Sequence, residues 1–512
     1  MKSKVLRALC CLLCLLLAVP AAGAEGGVPR GVFYELYVRA FADGDGDGVG
    51  DLRGLTAKLD YLSDGNPSTF GDLGVSGLWL MPVFAARSDH GYDTVDYYSI
   101  DPDYGTNDDM RALLDAAHQR GVAVIVDLVL NHTSSEHPWF QNALDGGDKR
   151  DWYRFFDDAT DNPALLTAKP LGGSAWHDSR GGKYCALFWE GMPELNLSNP
   201  EVTAELISIA KYWLAMGVDG FRLDATSHYF GYGEEALAQD TARSGEWLRQ
   251  FRDSLRAEYP NVYIVGEAWE NQQKRADILR GVDSVFNFDV GEQLIALITQ
   301  GGDANRFPRE LQAYLAECRA ANPAFLDAPF LTNHDQNRAL GQLKYKQPYY
   351  RLLCGVLLTL PGNPYLYYGE EIGMLGAKPD EELRTPLLWG GDDPAQCTFI
   401  ASRYNKKTVP VADQAADPDS LLNTVMGLIA TRNRVDALRL GELTALDTGN
   451  KYLMAYEMRY GDEMVRVFHN FHDTEAQPLT LADGTVDTSG GWLYGALEGG
   501  AIPPLSTLIL RP

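Results

Sequence analysis

The chain has 512 residues and a formal net charge of −26, from 44 basic and 70 acidic residues. This acidity disfavours nucleic acid and anionic membrane surfaces as partners, because both carry the same sign of charge. The length suggests about three domains.

The first 24 residues predict a secretory signal peptide. Three basic residues within the first seven precede an apolar run over 9–19, and the small residues Ala22 and Ala24 provide a cleavage site. The run is shorter than the roughly 18–20 residues that span a bilayer. We therefore expect a free protein in the periplasm or outside the cell. Four scattered cysteines lie beyond residue 24; they form no C-x-x-C pair, so zinc is not expected, and their pairing stays open: Cys185, Cys318, Cys354 and Cys397.

A first predicted strand, "GVFYELYV" (31–38), leads into the acidic run "DGDGDGVGDLRG" (43–54). Aspartates at alternate positions with glycines between them match the start of a D-x-D-x-D-G calcium loop. Gly54 stands where an EF-hand would have its bidentate glutamate, and a strand precedes the run, so an EF-hand is excluded. The alternative is a solvated acidic loop. The candidate Ca²⁺ ligands are Asp43, Asp45, Asp47, Asp51 and the carbonyl of Val49.

Seven more strand-like runs follow, and helical patterns such as 108–121 and 201–217 lie between them, each ending at a glycine. Strands that alternate with helices indicate βαβ units, and eight of them predict an α/β fold of the (β/α)₈ TIM-barrel type. An open doubly wound sheet is the alternative. The seven runs are 75–82, 122–130, 218–224, 261–267, 283–288, 328–335 and 363–370.

Two regions depart from this alternation of strands and helices. Residues 133–200 are too long for a structureless loop, which predicts a small domain inserted after the third strand. Alternating runs at 451–460 and 463–471 predict a C-terminal antiparallel β-sandwich. The predicted parts are a barrel over 25–132 and 201–440, an inserted domain over 133–200 and a C-terminal domain over 441–512.

Three acids stand directly after predicted strands: Asp224, Glu267 and Asp335. The carboxyl ends of barrel strands are where such folds place their chemistry. A helix cap or an arginine partner could explain any one of these acids, but three at corresponding strand ends indicate a shared site.

Four segments resemble, in order and spacing, the signature regions of the α-amylase family of glycoside hydrolases. They are "DLVLNH" (127–132), "GFRLDATSH" (220–228), "GEAW" (266–269) and "LTNHDQNR" (331–338). "MPELN" (192–196) resembles a further motif near the end of that family's inserted domain. The resemblance covers nearly the whole chain beyond residue 24 and implies the same barrel, insertion and C-terminal sandwich.

The resemblance assigns Asp224 as the nucleophile of a retaining mechanism, Glu267 as the general acid/base and Asp335 as the third acid, which binds sugar hydroxyls. Arg222 lies on the same strand face as Asp224 and is placed to lower the pKa of Asp224. Trp269 could contribute to apolar surroundings that raise the pKa of Glu267.

Other positions match substrate contacts or metal ligands of the family. His132 and His334 match histidines that bind the same sugar, Tyr92 resembles its stacking platform, and Asp127 is expected to orient Arg222. Asp89 or Arg384 is a further candidate contact. The resemblance implies one calcium in the first loop. A second calcium, on Asn131 and the carbonyl of His228, is less supported because Asn196 replaces the usual aspartate.

Features of two groups within the family are mixed in this chain. Ala225, after the nucleophile, and "GEAW" favour α-1,4 cleavage, whereas "DGDGDGVGDLRGL", "NHDQNR" and "RTPLLW" resemble oligo-1,6-glucosidases. The chain thus resembles the subfamily between the two. We expect a monomeric, endo-acting α-amylase on starch or maltooligosaccharides. The alternatives are an exo-acting α-glucosidase or oligo-1,6-glucosidase, a 4-α-glucanotransferase and, least supported because the three acids are present, a non-catalytic assembly subunit.

Overall fold

The computed structural model describes residues 27–66, 69–232 and 238–512; the predicted signal peptide lies outside them. Within the described residues, eight parallel strands form one sheet, in which each strand pairs with the next along the chain and the first pairs with the eighth. A parallel bridge from Phe330 to Tyr365 closes the barrel. The prediction of a TIM barrel is confirmed. The strands are Phe33–Leu36, Gly77–Leu80, Ala123–Leu128, Gly220–Leu223, Tyr263–Gly266, Ser284–Asn287, Ala328–Pro329 and Tyr365–Tyr367.

The join between the seventh and eighth strands is the weakest part of the barrel. It consists of the single Phe330–Tyr365 bridge, whereas each of the other neighbouring pairs in the described barrel has at least two residues in register. Pro329 helps to explain the short seventh strand, because proline has no N–H to donate to a ladder.

Helices surround the barrel, and their ends follow local chemistry. Asn107–Gln119 begins at a capping box between Thr106 and Asp109. Pro200–Met216 begins with proline at its first turn and ends at Gly217, whose φ of 121° suits glycine. The remaining helices are Val38–Phe41, Leu52–Ala57, Leu59–Leu62, Pro138–Leu144, Thr241–Arg256, Gln272–Leu279, Phe288–Gln300, Phe307–Ala321, Ala339–Gln342, Gln347–Leu357, Val411–Ala416, Leu421–Arg434 and Asp436–Leu440.

The barrel interior is filled by large side chains, as a TIM barrel requires. Phe33, Trp79, Tyr263, Phe286 and Tyr365 are buried in one cluster inside the strands. Trp79 stacks on Phe286 with ring centroids 5.0 Å apart. The interior is therefore solid, and only its mouth is open to a substrate.

Residues 133–200 contain a short hairpin, Trp176–Ser179 with Gly182–Cys185, and a small apolar cluster that includes Leu165 and Trp176. An antiparallel bridge at His132–Glu194 and a bond from the Leu195 N–H to the Asn131 carbonyl at 2.9 Å tie this segment to the end of the third strand. The segment thus stands directly over the barrel mouth. The domain boundaries drawn from the sequence stay predictions.

Beyond residue 441 the described chain forms a five-stranded antiparallel sheet. One of its faces packs with the barrel core through Tyr456 and Val467, and the other buries Phe468 and Leu508 beneath smaller strand pairs. The predicted sandwich is confirmed. The sheet strands are Glu442–Ala445, Leu453–Tyr460, Glu463–Asn470, Trp492–Tyr494 and Ser506–Leu510; the smaller pairs are Gln477–Pro478 with Ala501–Ile502 and Thr480–Leu481 with Gly484–Thr485.

The structure answers the question of cysteine pairing, which the sequence left open. All four cysteines of the described residues are free and buried. No helix in the described ranges is long and apolar enough to cross a membrane.

Outside the barrel, a hairpin of Phe84–Ala86 and Thr94–Ile100 follows the second strand and carries the Tyr92 loop to the mouth.

Candidate active site

The carboxyl ends of the fourth and fifth strands bring two predicted catalytic acids together. Leu223 is in register with Gly266, so Asp224 and Glu267, the next residue in each strand direction, leave the barrel side by side. Asp335 lies in the turn after the seventh strand, at the same edge of the barrel.

Arg222 joins the acids of this edge. Its side chain is 1% exposed, and its guanidinium nitrogens lie 2.6 Å from Asp224 Oδ1, 2.8 Å from Glu267 Oε2 and 3.0 Å from Asp127 Oδ1. The predicted partnership of Asp127 with Arg222 is confirmed. Trp79 of the barrel interior lies against the same guanidinium, 5.3 Å from its ring centroid. One buried guanidinium therefore binds three carboxyl groups through its two terminal nitrogens.

Glu267 has the environment of a proton donor. Burial raises its pKa, Arg222 opposes that effect, and the negative charges of Asp224 and Asp335 raise the pKa further. The main-chain N–H of Ala225 donates to Glu267 Oε2 at 3.1 Å. Ala225 has a left-handed φ of 51°, and its hydrogen bond opposes the rise in the pKa of Glu267. Trp269, predicted to lie in the surroundings of this carboxyl, stacks on Phe288 with centroids 4.6 Å apart and is 59% exposed.

Asp335 is held as an anion by two cations. Burial opposes its ionisation, but His334 Nε2 at 3.1 Å and the Arg384 guanidinium at 2.8 Å together hold the pKa of Asp335 below its usual range. Arg384 also contacts Asp380 at 3.3 Å. Asp89, the alternative contact predicted with Arg384, is exposed, and its carbonyl accepts a bond from Tyr37.

Tyr92 and the two predicted histidines complete the floor of the site. The Tyr92 hydroxyl lies 2.8 Å from His334 Nε2 and donates to Asp127 at 3.1 Å. The rings of Tyr92 and His334 stack with an interplanar angle of 17°. His132 donates from Nε2 to the Tyr92 carbonyl at 3.1 Å. Burial lowers the pKa of His132 to about 4, so its ring is neutral near pH 7.

Glu35 in the first strand is a site residue that sequence reasoning missed. Its carboxylate accepts from His334 Nδ1 at 2.6 Å and is 1% exposed. The signal was present: "FYELYV" places one acid inside an otherwise apolar strand, and a buried charge requires a partner.

Exposed aromatic rings border the mouth. Phe188, in the segment between the third and fourth strands, contacts the rings of His132 and His228 with centroids 5.6 and 5.4 Å away and is 42% exposed. Trp189 and Trp269 are exposed as well. Exposed rings of this size are suited to stacking on the apolar faces of sugars.

The first loop forms a compact acidic cluster that fits a hard cation. Carboxylate oxygens of Asp43, Asp45 and Asp51 lie within 4.8 Å of one another, a spacing that oxygen ligands on one calcium would have. Asp43 and Asp51 are buried, and each accepts three main-chain N–H bonds that fix its orientation. Asp47 is not part of the cluster; its carboxylate accepts from the N–H of Val49 at 2.7 Å.

Residues of the predicted second calcium site form hydrogen bonds within the protein through atoms other than the predicted ligands. The Asn131 amide donates to Glu194 at 3.2 Å, and Asn196 donates to the Asp151 carbonyl at 3.0 Å. The His228 ring shares a hydrogen bond with Gln239. The second calcium stays a prediction.

The site combines a carboxyl of raised pKa with a second carboxylate, and one arginine binds both. Exposed aromatic rings lie nearby. This is the arrangement of a glycoside hydrolase. Comparison with known proteins agrees. Residues 35–441 match the family model of the alpha-amylase catalytic domain. The chain therefore belongs to the α-amylase family of glycoside hydrolases, as its motifs predict.

Individual relatives differ in the reaction that their names give. The chain is 39% identical over 456 residues to alpha-amylase 3 of Dictyoglomus thermophilum, across 87% of this chain and 85% of that protein. It is 31% identical over 453 residues to a 4-alpha-glucanotransferase of Thermotoga maritima, across 86% and 96%. The crystal structure of an alpha-amylase from H.orenii matches with a TM-score of 0.83 at 39% identity, across 94% of this chain and 99% of that one.

Proposed function

We propose that the protein is an α-amylase that hydrolyses internal α-1,4-glucosidic bonds of starch and maltooligosaccharides with retention of configuration. The observation that carries this proposal is Arg222, whose guanidinium binds Asp224 and Glu267 at 2.6 and 2.8 Å. Two carboxyls on one guanidinium suit the short separation, roughly 5–5.5 Å, of a retaining pair.

In the proposed mechanism, Glu267 gives its proton to the glycosidic oxygen while Asp224 attacks the anomeric carbon. The bond to the leaving sugar breaks, and a covalent glycosyl ester forms on Asp224. Glu267, now ionised, takes a proton from water, which attacks the same carbon and releases Asp224. Asp335 and His334 bind hydroxyls of the distorted sugar, and the Tyr92 ring supports its face.

Endo action is supported by the mouth and by the relatives. The exposed ring of Phe188 lies against His228, and that of Trp269 lies against Phe288 after the sixth strand, so the two rings offer separate surfaces on which further sugars of a long chain could stack. The named relative with 39% identity is an alpha-amylase.

Product analysis on amylose tests the proposal. Mixed maltooligosaccharides that appear early, with the α-anomer formed first in a polarimetric or NMR assay, are the expected result. Glucose as the sole early product would replace it with an exo-acting α-glucosidase, for which cleavage of isomaltose would further indicate an oligo-1,6-glucosidase. Chains longer than the maltooligosaccharide supplied would indicate a 4-α-glucanotransferase, the activity in the name of one relative.

We also propose that the first loop binds one Ca²⁺, with Asp43, Asp45 and Asp51 as its carboxylate ligands and Asp47 and Val49 as further candidates. The ion would stabilise the loop after the first strand and take no part in bond cleavage. Addition of EDTA should lower the Tm, and excess Ca²⁺ should restore it. An unchanged Tm in EDTA would reject the site.

Export as a monomer is the last part of the proposal. The leader-like residues 1–24 support secretion, and an acidic enzyme for a polymer that cannot enter the cell fits an extracellular or periplasmic location. Cell fractionation with N-terminal sequencing of the product tests it: an N-terminus at Glu25 supports export. Light scattering measures whether one chain is present per particle.

A further inference from the structure

Glu35 combines deep burial with an ion pair to the active site. The side chain belongs to the first barrel strand and is 1% exposed. It accepts a bond from His334 Nδ1 at 2.6 Å and a second from the main-chain N–H of His334 at 3.2 Å. A buried charge is costly unless its bonds are satisfied, and both donors here come from one residue. Glu35 therefore fixes both the ring and the backbone of His334.

The other nitrogen of the same ring faces the substrate side. His334 Nε2 lies 2.8 Å from the Tyr92 hydroxyl and 3.1 Å from Asp335 Oδ2. Because Nδ1–H points to Glu35, Nε2 is the nitrogen left to contact Tyr92 and Asp335. Asp335 is held as an anion, and a carboxylate oxygen can only accept, so its contact with Nε2 assigns a hydrogen to that nitrogen as well. Both ring nitrogens consequently carry hydrogen.

We propose, on the basis of the function proposed above, that Glu35 is a positioning residue: through His334 it fixes the place of Asp335 and Tyr92 against the sugar. Glu35 does not touch the reacting atoms. A misplacement of about 1 Å in such supporting groups can lower an enzymatic rate about a hundredfold.

The charges around His334 favour its doubly protonated form. The groups that face or act on it from the packed elements are Glu35, Tyr92, Asp127, Arg222, Asp335 and Arg384. Burial opposes protonation, but Asp335 and Glu35 outweigh it and raise the pKa of His334 to about 9. Removal of the Glu35 charge should lower that pKa.

The test is Glu35→Gln, which keeps an acceptor oxygen of the same shape and removes the charge. We expect kcat on maltoheptaose to fall about tenfold with KM nearly unchanged, and the His334 imidazole to titrate at a lower pH. Imidazole nitrogen NMR measures the titration, and His334→Gln assigns the signal. Unchanged kcat and an unchanged titration midpoint in a folded Glu35→Gln protein would overturn the proposal.

Glu371→Gln is the matched control. Glu371 is fully buried, and its carboxylate accepts hydrogen bonds from Tyr34 and Tyr61. Tyr34 directly precedes Glu35 in the first strand. This variant should lower Tm and leave kcat and the His334 titration unchanged. If both variants lower kcat alike, Glu35 has a structural role only, and the proposal fails.

A measurement on the wild-type protein covers the case in which Glu35→Gln does not fold. The His334 signal at pH 7 should show both nitrogens protonated, and an unprotonated Nδ1 would overturn the proposal. This readout needs no substrate. A wild-type protein that is inactive on α-glucans would reject the proposed function, while the NMR result would still judge the contact between Glu35 and His334.

Discussion

Two acidic clusters of this protein balance their charge in different ways. At the active site, Arg222 lies within 3.0 Å of Asp127, Asp224 and Glu267. In the first loop, main-chain N–H groups hold Asp43 and Asp51, and in the described residues none of the loop aspartates forms an ion pair with a lysine or arginine. One cluster carries its own cation, and the other is held by main-chain N–H groups. Under the proposed function, the acids of the first cluster act on the substrate and those of the loop bind the proposed Ca²⁺.

The largest expected effect is a loss of catalysis when the acids of the active site are replaced. Asp224→Asn should lower kcat on maltoheptaose by about 10⁴-fold or more, and Glu267→Gln by about 10²- to 10⁴-fold, because each removes a group that acts in the transition state. Initial rates of reducing-end release measure both. Asp60→Asn, at an exposed partner of Arg120, is the control and should keep wild-type activity. Wild-type rates for Asp224→Asn would remove it from the mechanism.

Replacement of Arg222, the cation of the active-site cluster, tests the comparison by its effect on the free energy of unfolding. Arg222→Met leaves three acids without their shared partner and should lower the free energy of unfolding by about 3–5 kcal/mol, because the remaining charges stay buried. Urea unfolding measures it. Arg120→Met removes a surface arginine whose partner Asp60 is 72% exposed, and should cost less than about 1 kcal/mol. Equal losses in the two variants would contradict the buried role of Arg222.

The first loop should respond to calcium and the active site should not. Asp45→Asn removes a proposed Ca²⁺ ligand whose side chain is exposed. A tenfold weaker affinity for Ca²⁺ corresponds to about 1.4 kcal/mol. At a Ca²⁺ concentration that saturates the wild type, Tm should therefore fall by about 1–2 °C, because the entropy of unfolding of so long a chain is large, and kcat at low temperature should not change. Differential scanning calorimetry measures Tm. Asp178→Asn, at an exposed partner of Lys183, is the control. A Tm that responds to Ca²⁺ equally in Asp45→Asn and the wild type would exclude Asp45 as a ligand.

The smallest expected effect comes from a pair at the opposite end of the barrel whose side chains are 35% and 30% exposed. His118 Nε2 lies 2.9 Å from Asp219, and this bond raises the pKa of His118 against the effect of burial. The folded pKa exceeds the unfolded value of about 6.5. The pair therefore stabilises the fold below that pH, and the contribution is lost as pH rises through the folded pKa.

His118→Gln should accordingly lose more stability relative to the wild type at pH 6 than at pH 9, by less than about 1 kcal/mol because the pair is screened by solvent. Urea unfolding at both pH values measures the difference. A larger loss at pH 9 than at pH 6 would show that the charge on His118 does not stabilise the fold.

The strands and the acids at their ends could be predicted because their signals are local. Each barrel strand lies inside a run that its own β-forming residues predict, and Asp224 and Glu267 follow such runs directly. Parallel pairing then brings the ends together, which requires no knowledge of side-chain contacts.

Contacts between distant residues could not be predicted in the same way. Glu35 meets His334 across 299 residues of sequence, and no spacing rule connects them. Trp269 stands two residues from Glu267 in sequence, but its ring turns to stack on Phe288. The cluster of the first loop likewise includes Asp51 and omits Asp47, because the path of the turn decides which carboxylates converge.

The single bridge that closes the barrel, from Phe330 to Tyr365, has a consequence for how heat inactivates the enzyme. Asp335 follows one side of this join and Arg384 follows the other, so their 2.8 Å ion pair links the two sides at the mouth. Local opening of a protein begins where backbone hydrogen bonds are fewest. Amide hydrogen exchange should therefore be faster around Phe330 than in the third and fourth strands. Reversible opening there would move Asp335 away from Asp224 and Glu267, so warming should suppress activity at temperatures where most of the barrel is still folded.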